Sequence, residues 1–205
     1  WFFYPGFTPG SGGLLREPHA LKPGVPPWYE LDVLPHPGER CVSLFAYADA
    51  PFAELFDLLD DQPTLLLITA GASQAPALKA LEGRPQKNLR AHALPWLTQS
   101  AYDRLLHACD LNFARGEDSI VRAMWAGAPF VWHIYKQSDG VHERKLKAML
   151  NRMPADASVQ TLWRAWNGLG PWPATLPDPI AWRTACQQWR SGLLEQRDLT
   201  EGRLL

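Results

Sequence analysis

The stretch Asp110–Tyr135, DLNFARGEDSIVRAMWAGAPFVWHIY, decides the fold. Leu111 and Phe113 open an apolar run that stops at Arg115-Gly116. Gly116 permits a sharp turn because it carries no Cβ. Glu117, Asp118 and Ser119 are helix-starting residues, able to cap or charge-match free backbone N–H groups. Ile120, Ala123, Met124 and Gly127 then recur at helical spacing. Gly127 stops the helix, Pro129 prevents its continuation, and Phe130–Ile134 reads as the next strand. The order is strand, tight loop, helix, strand. It sets a helix N-terminus at the carboxyl end of a strand, which is a ready anion site. Arg115 at the mouth of that turn adds a bidentate grip on phosphate. A second reading also stands: Glu117-Asp118-Ser119 only caps, and Arg115 pairs with one of the two carboxylates. Two acids on one turn repel phosphate, so a ligand seated here also brings hydroxyls or amides.

Upstream, the same alternation runs back to residue 41. Cys41–Tyr47 reads as a strand, and a helix follows Pro51 with Phe52, Leu55, Phe56 and Leu59 as its apolar stripe. Thr64–Thr69 (TLLLIT) is a strand of the kind buried on both faces. Ala75–Leu81 is a short helix and Leu89–Leu94 a third strand. Thr98 caps a helix whose buried side is Tyr102, Leu105, Leu106 and Cys109. This periodicity predicts a parallel Rossmann-like sheet with helices on both faces, an α/β fold. Ligands of such sheets bind beyond the carboxyl ends of the strands. Those ends carry Phe45 to Tyr47, Ala70-Gly71, Leu94 to Trp96, Arg115 to Glu117, and Tyr135 to Gln137. Phe45 and Tyr47 point the same way by strand alternation, suited to clasping a planar base or to core packing. Gln99 and Ser100 either read the edge of a base or cap a helix.

The flanks are less regular. Trp1–Phe7 reads as a strand or extended lead-in, followed by the loop TPGSGG, which lacks the lysine and spacing of a P-loop. Leu14 to Glu17 suggests the start of a short helix. Pro18, Pro23, Pro26, Pro27, Pro35 and Pro37 mark an irregular connection. From Gly140 the chain turns helical, with stripes at His142, Leu146, Met149 and Leu150, then at Val159, Leu162, Trp163 and Trp166. A closing helix over Ile180–Leu194 carries Trp182, Cys186, Trp189 and Leu193 on one face. The chain opens on Trp rather than Met and directly on an apolar run, which suggests a part of a longer protein.

Composition narrows the function classes. A net charge of −1 and a pI near 6.7 argue against a general nucleic-acid or membrane-surface binder. No apolar run approaches the ~20 residues of a membrane span, and no secretory pattern opens the chain. Cys41, Cys109 and Cys186 form no CxxC, and the histidines show no metal-ligand spacing. No catalytic triad or paired-carboxylate spacing emerges; Asp49, Glu117 and Asp118 are possible bases.

Four segments, WFFYPGFTPGSGGLLRE, LPWLTQSAYDRLL, DLNFARGEDSIVRAMWAGAPFVWHIY and the Trp-rich tail, resemble the protein-arginine rhamnosyltransferase family that modifies bacterial elongation factor P. The resemblance covers nearly the whole chain and corresponds to the carboxyl-terminal half of that family. It implies one half of a GT-B glycosyltransferase plus C-terminal helices. Residues 1–179 would form the donor domain, and 180–205 a helix crossing to an amino-terminal domain, weakly anchored without it. The implied donor is dTDP-β-L-rhamnose, with inversion at the anomeric carbon, no metal and no other cofactor. The implied partner is elongation factor P, in the cytoplasm, with no nucleic acid and no membrane. Residue by residue, the resemblance places Phe45 and Tyr47 around thymine and ribose, and Gln99 on thymine. It places Tyr102 where phenylalanine is common, and Arg115, Asp118 and Ser119 on sugar and diphosphate. Glu117 matches a position needed for activity and Tyr135 another pocket position. The family's acceptor-activating aspartates lie in its other half. Two alternatives stand beside this: another nucleotide-sugar enzyme of the same fold, using a UDP-sugar or acting as an epimerase, and a non-catalytic protein-binding module.

Overall fold

The structure, a computed structural model, describes residues 6–8 and 11–200. Five parallel strands form one sheet: β1 Arg40–Leu44, β2 Thr64–Ile68, β3 Leu89–Ala93, β4 Leu111–Arg115 and β5 Phe130–His133. Their spatial order is β3-β2-β1-β4-β5. Between them run helices α1 Phe52–Leu59, α2 Gln74–Leu81, α3 Gln99–Ala108 and α4 Asp118–Ala126. Three more follow: α5 Val141–Leu150, α6 Ala157–Trp166 and α7 Pro179–Leu194. The sheet and helices expected from periodicity are present, with ends shifted by at most three residues.

Strand alternation explains how both faces are covered. Val42, Leu44, Leu66 and Ile68 share one core with Leu55, Phe56 and Leu59 of α1. On that side Phe113 meets Trp166 of α6, ring centres 4.7 Å apart. Cys41, Leu65 and Leu67 point the other way and pack on Leu105 of α3 and on Cys109. TLLLI is buried at every position, as a central parallel strand requires. One polar rung crosses this core. The Ser43 hydroxyl donates to Asn112 Oδ1 at 2.6 Å, and the Asn112 amide donates to the Leu106 carbonyl. Both side chains are buried but satisfied, so the rung costs little.

Helix ends follow local chemistry. Thr98 accepts from the Ala101 N–H, Asp156 from Val159 and Asp178 from Ala181. Gly127 closes α4 in the left-handed region at φ 67°. A Cβ there would also stand 2.9 Å from Cδ of Arg190. Arg190 in turn donates to the carbonyls of Trp125 and Leu21, which fastens α7 across the end of α4.

Two expectations need correction. Leu14–Glu17 forms no helix. Leu14 instead makes a parallel bridge to Asp198, and Glu17 precedes a proline, which disfavours helical backbone. The weak anchoring expected for the closing helix is also not found over its described part. Trp182, Cys186 and Leu193 are buried, and the Arg16 guanidinium binds the carbonyls of Leu193, Leu194 and Gln196. The lead-in expected over Trp1–Phe7 lies mostly outside the described residues. Of the glycine loop that follows it, Gly13 abuts the backbone of Arg197.

Candidate functional site

In the order β3-β2-β1-β4-β5 the chain leaves β1 in one direction and returns beside it as β4. The segments after these two strands therefore diverge and leave a crevice. Phe45 and Tyr47 follow β1, and the Phe45 N–H donates to Phe113 at 2.9 Å, holding that segment beside β4. Arg115 is the last residue of β4. Its guanidinium carbon lies 4.5 Å from the Phe45 ring centre and 4.9 Å from that of Tyr47. The cation is thus held between two aromatic faces.

The turn after Arg115 is shaped from both sides. Gly116 has φ 71°, and the Trp132 indole N–H donates to its carbonyl at 2.9 Å. The Ser119 hydroxyl donates back to the Arg115 carbonyl. Glu117 occupies the N-cap of α4 but makes no side-chain cap bond, so the first turn has no side-chain acceptor. The alternative pairing of Arg115 with a neighbouring carboxylate does not form. Asp118 pairs with Arg122 at 2.8 Å, and Arg115 makes no ion pair among the described residues.

Two small cavities flank Arg115. One, of about 170 Å³, is lined by Phe45, Gln99, Tyr102, Asp118 and Ser119, with Trp96 and Arg122. The other, of about 160 Å³, is lined by Tyr47, Gly116, Glu117, Trp132, Tyr135 and Lys145. Eight of the candidates thus line the two cavities on either side of Arg115: Phe45, Gln99, Tyr102, Asp118 and Ser119 in one, and Tyr47, Glu117 and Tyr135 in the other. Ser100 and Asp49 line neither, and Asp49 pairs with Lys136 at 2.8 Å. Gln99, Glu117, Asp118 and Tyr135 are exposed, Ser119 is buried, and Phe45, Tyr47 and Tyr102 are half-buried. The larger cavity of about 560 Å³ between Arg40, Asp110 and Arg183 opens at the amino ends of the strands. Its charged groups already pair, Arg40 with Asp61 and Arg183 with Asp110, and it is remote from the crevice.

Aromatic rings meet edge to face around the crevice. Phe45 meets Tyr102 at 5.9 Å, and Tyr47 meets Tyr135 at 5.6 Å and His133 at 5.2 Å. Burial raises the Tyr47 phenol above its ordinary pKa, with the Arg115 charge opposing. Burial also pushes the Tyr102 phenol up against the opposing Ser119 hydroxyl. The Tyr102 hydroxyl is nonetheless buried without a well-formed hydrogen bond. His133 Nδ1 accepts from the Tyr47 N–H at 3.2 Å. Burial lowers the His133 pKa to about 4, so the ring is neutral and fixes the chain under Tyr47.

Sequence reasoning passed over Arg122, His133 and Trp96. Arg122 stands four residues after Asp118, a helical ion-pair spacing that was legible. Trp96 was placed on the rim but given no role, although it is 82% exposed beside the cavity. His133 gave no signal, because its role depends on which strand lies alongside β1. Among the described residues, the acidic and histidine side chains close enough to hold a metal are Glu17, His19 and Asp103. The Arg122 guanidinium already occupies the carboxylates of that group.

Five parallel strands covered by helices, with a crevice at the switch point, define a Rossmann-like α/β fold. The chain belongs to the family "Elongation-Factor P (EF-P) rhamnosyltransferase EarP", whose model matches residues 1–204. It is 40% identical over 219 residues to a protein-arginine rhamnosyltransferase of Pseudomonas aeruginosa, covering 92% of this chain and 58% of that protein. It is 40% identical over 214 residues to one of Pseudomonas putida, covering 92% of this chain and 55% of the relative. The chain thus spans little more than half the length of these relatives. A solved structure described as "Structural basis for EarP-mediated arginine glycosylation of translation elongation factor EF-P" superposes with a TM-score of 0.82 at 33% identity. That match covers 99% of this chain and 74% of the other.

Proposed function

We propose that these 205 residues are the donor-binding half of an inverting protein-arginine rhamnosyltransferase. The donor is dTDP-β-L-rhamnose and the acceptor is an arginine side chain of elongation factor P, in the cytoplasm. Residues 1–179 hold the donor, and 180–205 continue toward the remainder of the protein. One observation carries this reading: Arg115 is held between Phe45 and Tyr47 at the uncapped start of α4.

In this reading the thymine lies in the cavity of Phe45, Tyr102 and Gln99, and the diphosphate reaches the α4 N-terminus and Arg115. The acceptor guanidinium nitrogen attacks the anomeric carbon from the face opposite the diphosphate. The carbon–oxygen bond to phosphate breaks, and dTDP leaves with the electron pair. Arg115 and the α4 backbone stabilise the charge that develops on the leaving oxygen. No metal is needed for that step. A guanidinium has a pKa above ~12, so it must be held and relieved of a proton to attack. The base for that proton is assigned outside these residues. Glu117 and Tyr135 line the neighbouring cavity, toward which this reading directs the reacting carbon.

Calorimetry on this chain with dTDP, dTDP-rhamnose and UDP tests the reading. We expect weak binding of the thymidine compounds and weaker binding of UDP, with no rhamnose transfer detected by mass spectrometry. Equal response to UDP supports a different nucleotide-sugar enzyme. No response to any nucleotide supports a protein-binding module.

A further inference from the structure

The group with the most bonds near the crevice is Arg122, which the reading above does not use. Its side chain is only 4% exposed, yet three carboxylates from three parts of the chain converge on it. Nε donates to Asp118 Oδ2 at 2.8 Å. One terminal nitrogen donates to both oxygens of Asp103 at 3.1 and 2.9 Å. The other donates to Glu17 Oε2 at 2.6 Å. His19 closes the group, with Nε2 3.2 Å from Asp103 and 3.4 Å from Glu17. Arg122 and Asp118 both line the cavity that also holds Phe45 and Ser119.

This arrangement fixes in place one of the two acids on the turn that is to receive a diphosphate. Asp118, left alone, swings freely, its carboxylate being 64% exposed. With Oδ2 tied to Arg122, one oxygen of the carboxylate is occupied and its orientation is set, while the single guanidinium charge is shared with Asp103 and Glu17. The other oxygen then has a fixed direction, able to accept from a hydroxyl. A guanidinium held at three edges cannot drift toward the ligand itself. We propose that Arg122, clamped by Asp103 and Glu17, is a positioning residue that holds the otherwise mobile Asp118 carboxylate as a fixed acceptor for a donor-sugar hydroxyl. This rests on the donor-binding reading above.

The test is a double-mutant cycle on this chain, read by calorimetry with dTDP-rhamnose and with dTDP. Arg122→Lys keeps the buried positive charge but cannot reach all three carboxylates. We expect it to weaken dTDP-rhamnose about tenfold and to narrow the preference for dTDP-rhamnose over dTDP. In an Asp118→Asn background the same change should cost less than about twofold, because the carboxylate it orients is gone. Equal losses in both backgrounds, or no loss in either, overturn the proposal, since a merely structural arginine would not depend on Asp118. If Arg122→Lys does not fold, Asp103→Asn removes the α3 anchor of the clamp and is read in the same cycle by the same criteria. Failure of the unmodified chain to bind any thymidine nucleotide sinks the donor-binding reading itself, a result distinct from additive losses in a chain that binds.

Discussion

His133 Nδ1 accepts the backbone N–H of Tyr47 at 3.2 Å, so β5 sets the position of a residue that follows β1. The bond needs the neutral ring, and burial keeps it neutral down to about pH 4 against an ordinary value of 6.5. Between these values the unfolded chain takes up a proton that the folded chain refuses. Stability contributed by this site is therefore full above pH 6.5 and falls as the pH drops toward 4. The loss by pH 5 is on the order of 2 kcal/mol. Urea unfolding at pH 7.5 and 5, compared with a His133→Asn variant that lacks the titrating group, isolates it. Equal pH dependence in the two proteins would refute the assignment.

Arg115 stacks on Phe45 and Tyr47 and makes no ion pair among the described residues, so its loss should touch binding more than folding. Arg115→Ala is expected to weaken dTDP at least tenfold, about 1.4 kcal/mol. Arg115→Lys should recover little of this, because an ammonium neither stacks as a plane nor grips phosphate at two points. Calorimetry on both variants decides it, and full recovery by lysine would rule out the stacked geometry.

Trp96 is 82% exposed yet lines the cavity that we assign to the base. Removing it costs the fold little. Trp96→Ala should leave the melting temperature within about 2 °C of the parent while reducing dTDP affinity at least fivefold, from lost stacking. Unchanged affinity would place the base elsewhere.

Gly127 sits at φ 67° with Arg190 pressed against it. Gly127→Ala is expected to cost about 1–2 kcal/mol, from left-handed strain and from displacing the clasp between α4 and α7. Chemical denaturation measures this. A neutral result would mean that Arg190 moves aside freely.

The two kinds of information divide along physical lines. The alternation of apolar strands with capped helices was written in local spacing, because burial on a period of 2 or 3.6 leaves a local mark. Thr98, Gly116, Gly127 and Pro129 were legible for the same reason: caps and turns are decided within a few residues. The crevice residues could also be chosen by position, since a parallel sheet offers ligands the carboxyl ends of its strands. The irregular lead-in was misread at Leu14–Glu17, because four residues with no period are placed by what they meet, here Asp198. What no window of sequence could decide was which strand ends become neighbours. Placing β4 beside β1 brought Arg115 between Phe45 and Tyr47 and set His133 beneath Tyr47, and packing of the lead-in and α3 against α4 gathered Glu17 and Asp103 around Arg122. Those partners are separated by tens of residues along the chain. Their contact energies exist only once the loops between them have closed, so tertiary packing, not local preference, determined the site.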